Sequence, residues 1–188
     1  MILRAAAPAE SKPPHENLTS QRLDSPREIQ GYPCAATYAW FFANGKLKSC
    51  QVSREIPFGE ITVPAKSWIN LNDDGSPAFV FLGHDAKING YLCKGGGGTE
   101  GPSTALYPSG KLKTCWLAED TLVNGVPCMH ASFLGDVFGG TSELDFFESG
   151  AIKGCKLSRD FTVDGRSFHR GDRPAFPNAS GSARTSSR

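Results

Sequence analysis

One decapeptide recurs and limits what this chain can become. It reads Phe41-Phe42-Ala43-Asn44-Gly45-Lys46-Leu47-Lys48-Ser49-Cys50 and returns as Leu106-Tyr107-Pro108-Ser109-Gly110-Lys111-Leu112-Lys113-Thr114-Cys115. A third copy is Phe146-Phe147-Glu148-Ser149-Gly150-Ala151-Ile152-Lys153-Gly154-Cys155, and a degenerate one surrounds Asp74-Gly75. Apolar runs meeting at Asn-Gly or Asp-Gly mark a β-hairpin, and Ser-Gly marks a turn less strongly. A hairpin used four times predicts an all-β chain: an antiparallel meander of four internal hairpin repeats. The meander either stays open as a twisted sheet or closes partly, as a barrel or propeller-like array.

Aligned on Gly45, Gly75, Gly110 and Gly150, the copies agree well beyond the turn. Seven residues on stand Val52, Leu82, Leu117 and Leu157, and ten on stand Glu55, Asp85, Asp120 and Asp160. A further glycine follows at Gly59, Gly90, Gly125 and Gly165, with Gly31 in the equivalent place ahead of the first hairpin. The turn glycines are expected at positive φ, as a tight hairpin requires. Alternation puts Cys50/Val52, Val80/Leu82, Cys115/Leu117 and Cys155/Leu157 on one strand face. The acids read as caps that accept backbone N–H groups in an Asx-like turn. A metal ladder or catalytic row is the alternative, but a catalytic pair needs two unlike environments and a repeat supplies similar ones. A short strand after each second glycine makes about three strands per repeat. Residues 1–28 read as a flexible tail, 29–176 as one β-repeat domain and 177–188 as a disordered tail.

Only one connection varies in length, that between the short strand and the next hairpin. Its long copies are Lys94–Ser103, with Gly95 to Gly98 and Thr99, and Met129–Ser142, with His130, Phe133 and Phe138. Binding residues concentrate on loops carried by a rigid scaffold. Lys94, Thr99, Met129, His130, Phe133 and Phe138 are therefore the candidate binding residues, forming a lip on one edge. The alternative is that the fourth loop covers a sheet edge.

The six cysteines obey the repeat. Cys34, Cys93 and Cys128 follow a second glycine by three residues, and Cys50, Cys115 and Cys155 follow a turn glycine by five. The second repeat lacks both, with Thr62 and Val80 in their places, so the two positions are read as partners. The expected bridges are Cys34–Cys50, Cys93–Cys115 and Cys128–Cys155; buried thiols and a metal site are the alternatives. No repeat has C-x-x-C, and the histidines share no position. Disulfides would place the protein outside a reducing cytosol.

The remaining motifs exclude more than they assign. The glycine run lacks the Gly-Lys-Ser/Thr that opens the helix of a phosphate loop. There is no G-x-S-x-G elbow, and nothing sets a base beside a nucleophile. Lys48, Lys113 and Lys153 share a position and read as a solvated row. With 20 basic and 19 acidic residues the formal net charge is +1, which gives no reason to propose nucleic acid. No apolar run approaches the ~20 residues of a membrane span. At the N-terminus, Ala5-Ala6-Ala7-Pro8-Ala9 looks like the small-residue end of a secretory signal whose start lies upstream or has been clipped; a cytoplasmic tail is the alternative.

The phrase at 41–48, echoed at 106–113, resembles the bacterial MORN-variant repeat, with its aromatic pair, Asn-Gly turn and Lys-Leu-Lys. The resemblance implies a β-hairpin array acting as a scaffold or membrane-associated module, and no catalytic residue. The expectation is a non-enzymatic secreted or periplasmic binding or scaffold protein, without cofactor, whose partner is a protein or envelope component. The alternatives are an envelope or carbohydrate-active enzyme with a site in the long loops, and a cytoplasmic antitoxin-like MORN-variant protein.

Overall fold

The computed structural model describes residues 18–132 and 142–177. Residues 1–17, with the signal-like Ala5–Ala9, lie outside this range, as do Phe133, Phe138 and the tail 178–188. The first strands are β1 (Thr19–Arg22), β2 (Arg27–Ile29), β3 (Tyr32–Phe41) and β4 (Leu47–Val52), followed by β5 (Ile56–Phe58) and β6 (Ile61–Val63). The second repeat supplies β7 (Trp68–Leu71), β8 (Pro77–Phe81), β9 (Ala86–Ile88) and β10 (Tyr91–Cys93). The third supplies β11 (Ser103–Leu106), β12 (Leu112–Trp116), β13 (Thr121–Val123) and β14 (Val126–Cys128). The last supplies β15 (Glu143–Phe146), β16 (Ile152–Gly154), β17 (Phe161–Val163) and β18 (Arg166–Phe168).

The long hairpins build one antiparallel sheet in the order β1-β3-β4-β7-β8-β11-β12-β15-β16, with β2 also paired to β3. The path has two ends, so the all-β meander is open and does not close into a barrel. Each long hairpin is followed by a short one: β5–β6, β9–β10, β13–β14 and β17–β18. A repeat therefore has four strands, where the sequence predicts about three. The segment between acid and second glycine is itself a strand, but at three residues it is too short to show a period. The ordered sheet also begins earlier than the predicted boundary at 29. β1 is exposed along its whole length, so no apolar alternation marks it. It is placed instead by pairing with Tyr38–Phe41 and by the buried Leu23 that follows it.

The two glycines of each repeat have different tasks. Positive φ holds at both, as expected. At the long hairpin, Gly45 N–H donates to the Phe42 carbonyl and Phe42 N–H to the Lys46 carbonyl. This is a three-residue loop ending in a left-handed glycine bulge. The tight two-residue turns lie in the short hairpins instead. Asn89 and Gly90 have φ 49° and 87°, and Asn124 and Gly125 have 50° and 84°, the double positive φ of a type I′ turn.

The inner face of the sheet is one row through the register: Ala39, Cys50, Ile69, Val80 and Thr104 on consecutive strands, then Cys115 opposite Leu144. All are fully or almost fully buried. The short hairpins complete the core with Phe58, Ile61, Val63, Ile88, Val123 and Val126. Isolated bridges Cys93↔Leu117 and Cys128↔Leu157 tie the β9–β10 and β13–β14 hairpins to the long hairpin after each. Thr104 is the one polar member of the row, and its Oγ1 has no hydrogen-bond partner among the described residues. A buried hydroxyl without a partner costs free energy that an isosteric methyl does not. Thr104→Val is therefore expected to raise stability by about 1 kcal/mol, read as a higher denaturation midpoint at unchanged slope. A lower midpoint would show that the hydroxyl is satisfied after all.

Candidate functional site

The residues that alternate with the core row face outwards, and they are not an ordinary solvated face. One outer row runs Ser20, Trp40, Ser49, Asn70, Phe79, Ala105, Thr114, Asp145 and Gly154 on successive strands. The next runs Gln51, Trp68, Phe81 and Ser103. Trp116, two residues from Thr114, lies on the same face, opposite Glu143. The chain has 3 tryptophans in all, and every one is here rather than in the core. Each sits next in sequence to a buried row member: Ala39, Ile69 or Cys115. Alternation therefore forces it to the other side.

These side chains wall a groove of about 480 Å³, lined by Tyr38, Trp40, Trp68 and Phe81 with Ser49 and Asn70 between them. Tyr38 and Trp40 are 46% and 40% exposed, whereas Ser49 and Asn70 at the floor retain only 7% and 9%. Phe79 supports Phe81 edge to face at 5.4 Å between ring centres. The Asn70 amide and the Ser49 hydroxyl make no side-chain hydrogen bond with another described residue. Thr104 Oγ1 is the one side-chain polar atom sealed from solvent without a partner among the described residues, so the Asn70 amide opens to the groove and presents donor and acceptor capacity to solvent or a ligand. Lys48 lines one end, its ammonium 4.6 Å from the Phe42 ring centre. Lys113 sits over Tyr107 at 5.8 Å in the same way, so these lysines stack on turn aromatics rather than simply extending into water.

The predicted lip divides under inspection. Thr99, in a short 3₁₀ turn (Gly98–Glu100), lines the groove. Lys94 Nζ donates to the Ala131 carbonyl at 3.2 Å, so the third and fourth connections touch. Met129 is half-buried, its N–H bonded to the Lys156 carbonyl. His130 pairs with Asp120 through Nδ1 at 2.7 Å and does not line the groove. The glycine run is packed rather than loose. A Cβ at Gly95 would collide with the His84 carbonyl, and one at Gly101 with the Gly96 carbonyl. Gly96, Gly97 and Gly98 take φ 85°, 82° and 60°, which glycine alone adopts without strain. The run thus fixes Thr99 at the end of the groove.

Three of the four repeat acids, Glu55 excepted, act as caps, but across a hairpin rather than within a turn. Asp85 Oδ1 accepts from Gly95 N–H, Asp120 Oδ1 from His130 N–H and Asp160 Oδ1 from Arg170 N–H, each at 2.8 Å. Every span is ten residues, the width of a short hairpin with its flanks. Burial alone would raise the Asp120 carboxyl, but the His130 N–H, ring and charge, with Arg170, together hold it below the usual range. The Asp160 carboxyl is lowered first by the Arg170 N–H and then by His169. Among the described residues no group of three or more His, Cys, Asp or Glu is placed to hold a metal ion.

Two disulfides are formed, Cys34–Cys50 and Cys128–Cys155, and they fit an oxidising, extracytoplasmic environment. The third predicted bridge is absent: Cys93 and Cys115 are buried free thiols, joined by a hydrogen bond that, with burial, pushes the Cys115 thiol well up. The cysteine-free repeat also differs from its sequence alignment. Gly59 is the first residue of its two-residue turn, between β5 and β6, whereas Gly90 and Gly125 are the second residue of theirs. The register therefore shifts by one. Val63, buried, stands in the cysteine position with Val80, while Thr62 faces solvent.

No helix among the described residues is long and apolar enough to cross a membrane. The chain matches no protein-family model, no curated protein and no solved structure.

Proposed function

We propose that this chain is a non-enzymatic binding module of a secreted or periplasmic protein, engaging its partner through the outer face of the sheet. One observation carries the reading: every tryptophan lies on that face, and two of them, Trp40 and Trp68, line a groove with Asn70, whose amide has no partner among the described residues. Large aromatic surface left out of a core is costly unless something covers it, and aromatic anchors dominate binding energy where they are covered. The disulfides support the location, and the rigid repeat frame supports a scaffold-borne site.

Hydroxyl-radical footprinting of the full chain mixed with envelope material from its native cells tests the proposal. Protection of Trp40, Trp68 and Trp116 over the free protein is the expected result. Protection confined to the Lys94–Ser103 connection, with the tryptophans unchanged, would sink it.

A further inference from the structure

The groove has a chemical character that narrows its ligand, and the narrowing rests on the binding-module reading above. Its walls are flat aromatic rings, and its floor is an amide and a hydroxyl. Among its lining residues Lys48 alone is charged, and that ammonium is engaged over Phe42. A ligand for such a site is uncharged, offers C–H faces to stack on the rings, and carries hydroxyls that both donate to and accept from Asn70. An anionic polymer would need several cations along its path, and this lining holds one, already engaged over Phe42. A lipid surface would cover the Asn70 amide with hydrocarbon and leave it unsatisfied.

The layout adds a direction. Aromatic side chains recur across the strands, from Trp40 to Phe79 in one row and from Trp68 and Phe81 towards Trp116 in the other. With strands about 4.8 Å apart, β3 to β12 spans roughly 20–25 Å. Beyond them the Arg173 guanidinium binds Asp145 at 2.6 Å and closes the far end of the face with a charge pair. A small sugar would use a fraction of this surface; a chain of several would use all of it. We infer that the outer face binds a neutral polysaccharide, lying across the strands, with successive rings stacked on the tryptophans and hydroxyls bonded to Asn70 and Ser49.

Affinity electrophoresis of the intact chain through gels containing a neutral β-glucan, xylan, galactomannan or starch tests the inference. Gels with polygalacturonate and co-sedimentation with phosphatidylcholine vesicles run alongside. Retardation by at least one neutral polysaccharide is expected, with none by polygalacturonate and no vesicle binding. Trp68→Ala and Asn70→Ala should each weaken the interaction about tenfold or more at an unchanged melting temperature. Leu122→Ala, an exposed apolar residue of the β13–β14 hairpin, should not. Retardation that survives both groove substitutions overturns the inference, as does failure of every neutral polysaccharide. Vesicle binding abolished by Trp68→Ala would overturn the glycan while leaving the module reading in place. If neither polysaccharide nor vesicle binds, and Trp40→Ala and Trp68→Ala each lower the melting temperature, the face is structural and both readings fall.

Discussion

Reduction of the two disulfides is expected to lower the melting temperature by on the order of 20 °C. The bridges close loops of 16 and 27 residues. Chain entropy alone then stabilises the fold by about 3 and about 3.5 kcal/mol. Together that is a large part of the 5–15 kcal/mol that a domain ordinarily has. Cys34–Cys50 ties β3 to β4 near one end of the sheet, and Cys128–Cys155 ties β14 to the residue after β16 at the other, so their loss loosens the two ends of the array first. Scanning calorimetry with and without reductant measures the effect, and Cys34→Ser/Cys50→Ser and Cys128→Ser/Cys155→Ser apportion it. A melting temperature indifferent to reductant would mean that packing alone holds the ends. Cys93 and Cys115 supply an internal comparison. They occupy the same repeat positions as thiols, so Cys93→Val/Cys115→Val, which mimics Val63 and Val80, should shift the transition far less than loss of either bridge.

Gly110→Ala and Gly59→Ala are each expected to cost about 3 kcal/mol, from positive-φ strain together with forced overpacking. The turn of the β5–β6 hairpin meets the turn of the β11–β12 hairpin backbone to backbone. Glu60 N–H donates to the Gly110 carbonyl at 2.8 Å. A Cβ on Gly59 would lie 2.6 Å from the Gly110 Cα, and one on Gly110 would lie 2.7 Å from the Gly59 Cα. Both residues have positive φ, 63° and 86°. Gly45 separates the two contributions, having φ 78° but nothing within 4 Å of a Cβ. Gly45→Ala should cost only about 1 kcal/mol, the strain alone. The double variant at 59 and 110 should cost less than the sum of the singles, because one displacement relieves both clashes. Equal costs at Gly45 and Gly110 in urea titrations would show that the contact between turns contributes nothing.

Much of this protein was legible as a string of residues, because β structure writes its local geometry into short patterns. The turn glycines, the four long hairpins, the face shared by Cys50 and Val52, and the pairing of Cys34 with Cys50 and Cys128 with Cys155 all follow from spacing. Each depends on neighbours a few residues apart or on repetition of one unit. The acids were legible as caps, but not the ten-residue reach of Asp85, Asp120 and Asp160, since that reach needs the short hairpin to fold first.

What the tertiary structure decided was whatever depends on register between strands distant in sequence. One residue of shift at the Gly59 turn moved the cysteine-equivalent position from Thr62 to Val63, because side chains alternate and a single step exchanges core for solvent. The edge strand Thr19–Arg22 has no apolar face and exists only through its pairing with β3. The groove is the clearest case. Trp40 stands on one hairpin, Trp68 and Phe81 on the two strands of the next, and Thr99 comes from a glycine loop further on. Each tryptophan could have been assigned outwards from the buried residue beside it. That their rings share one floor with an unpartnered Asn70 follows only from the cross-strand pairs Trp40↔Ser49, Ser49↔Asn70 and Trp68↔Phe81. Strand order and register, not local propensity, bring those residues together.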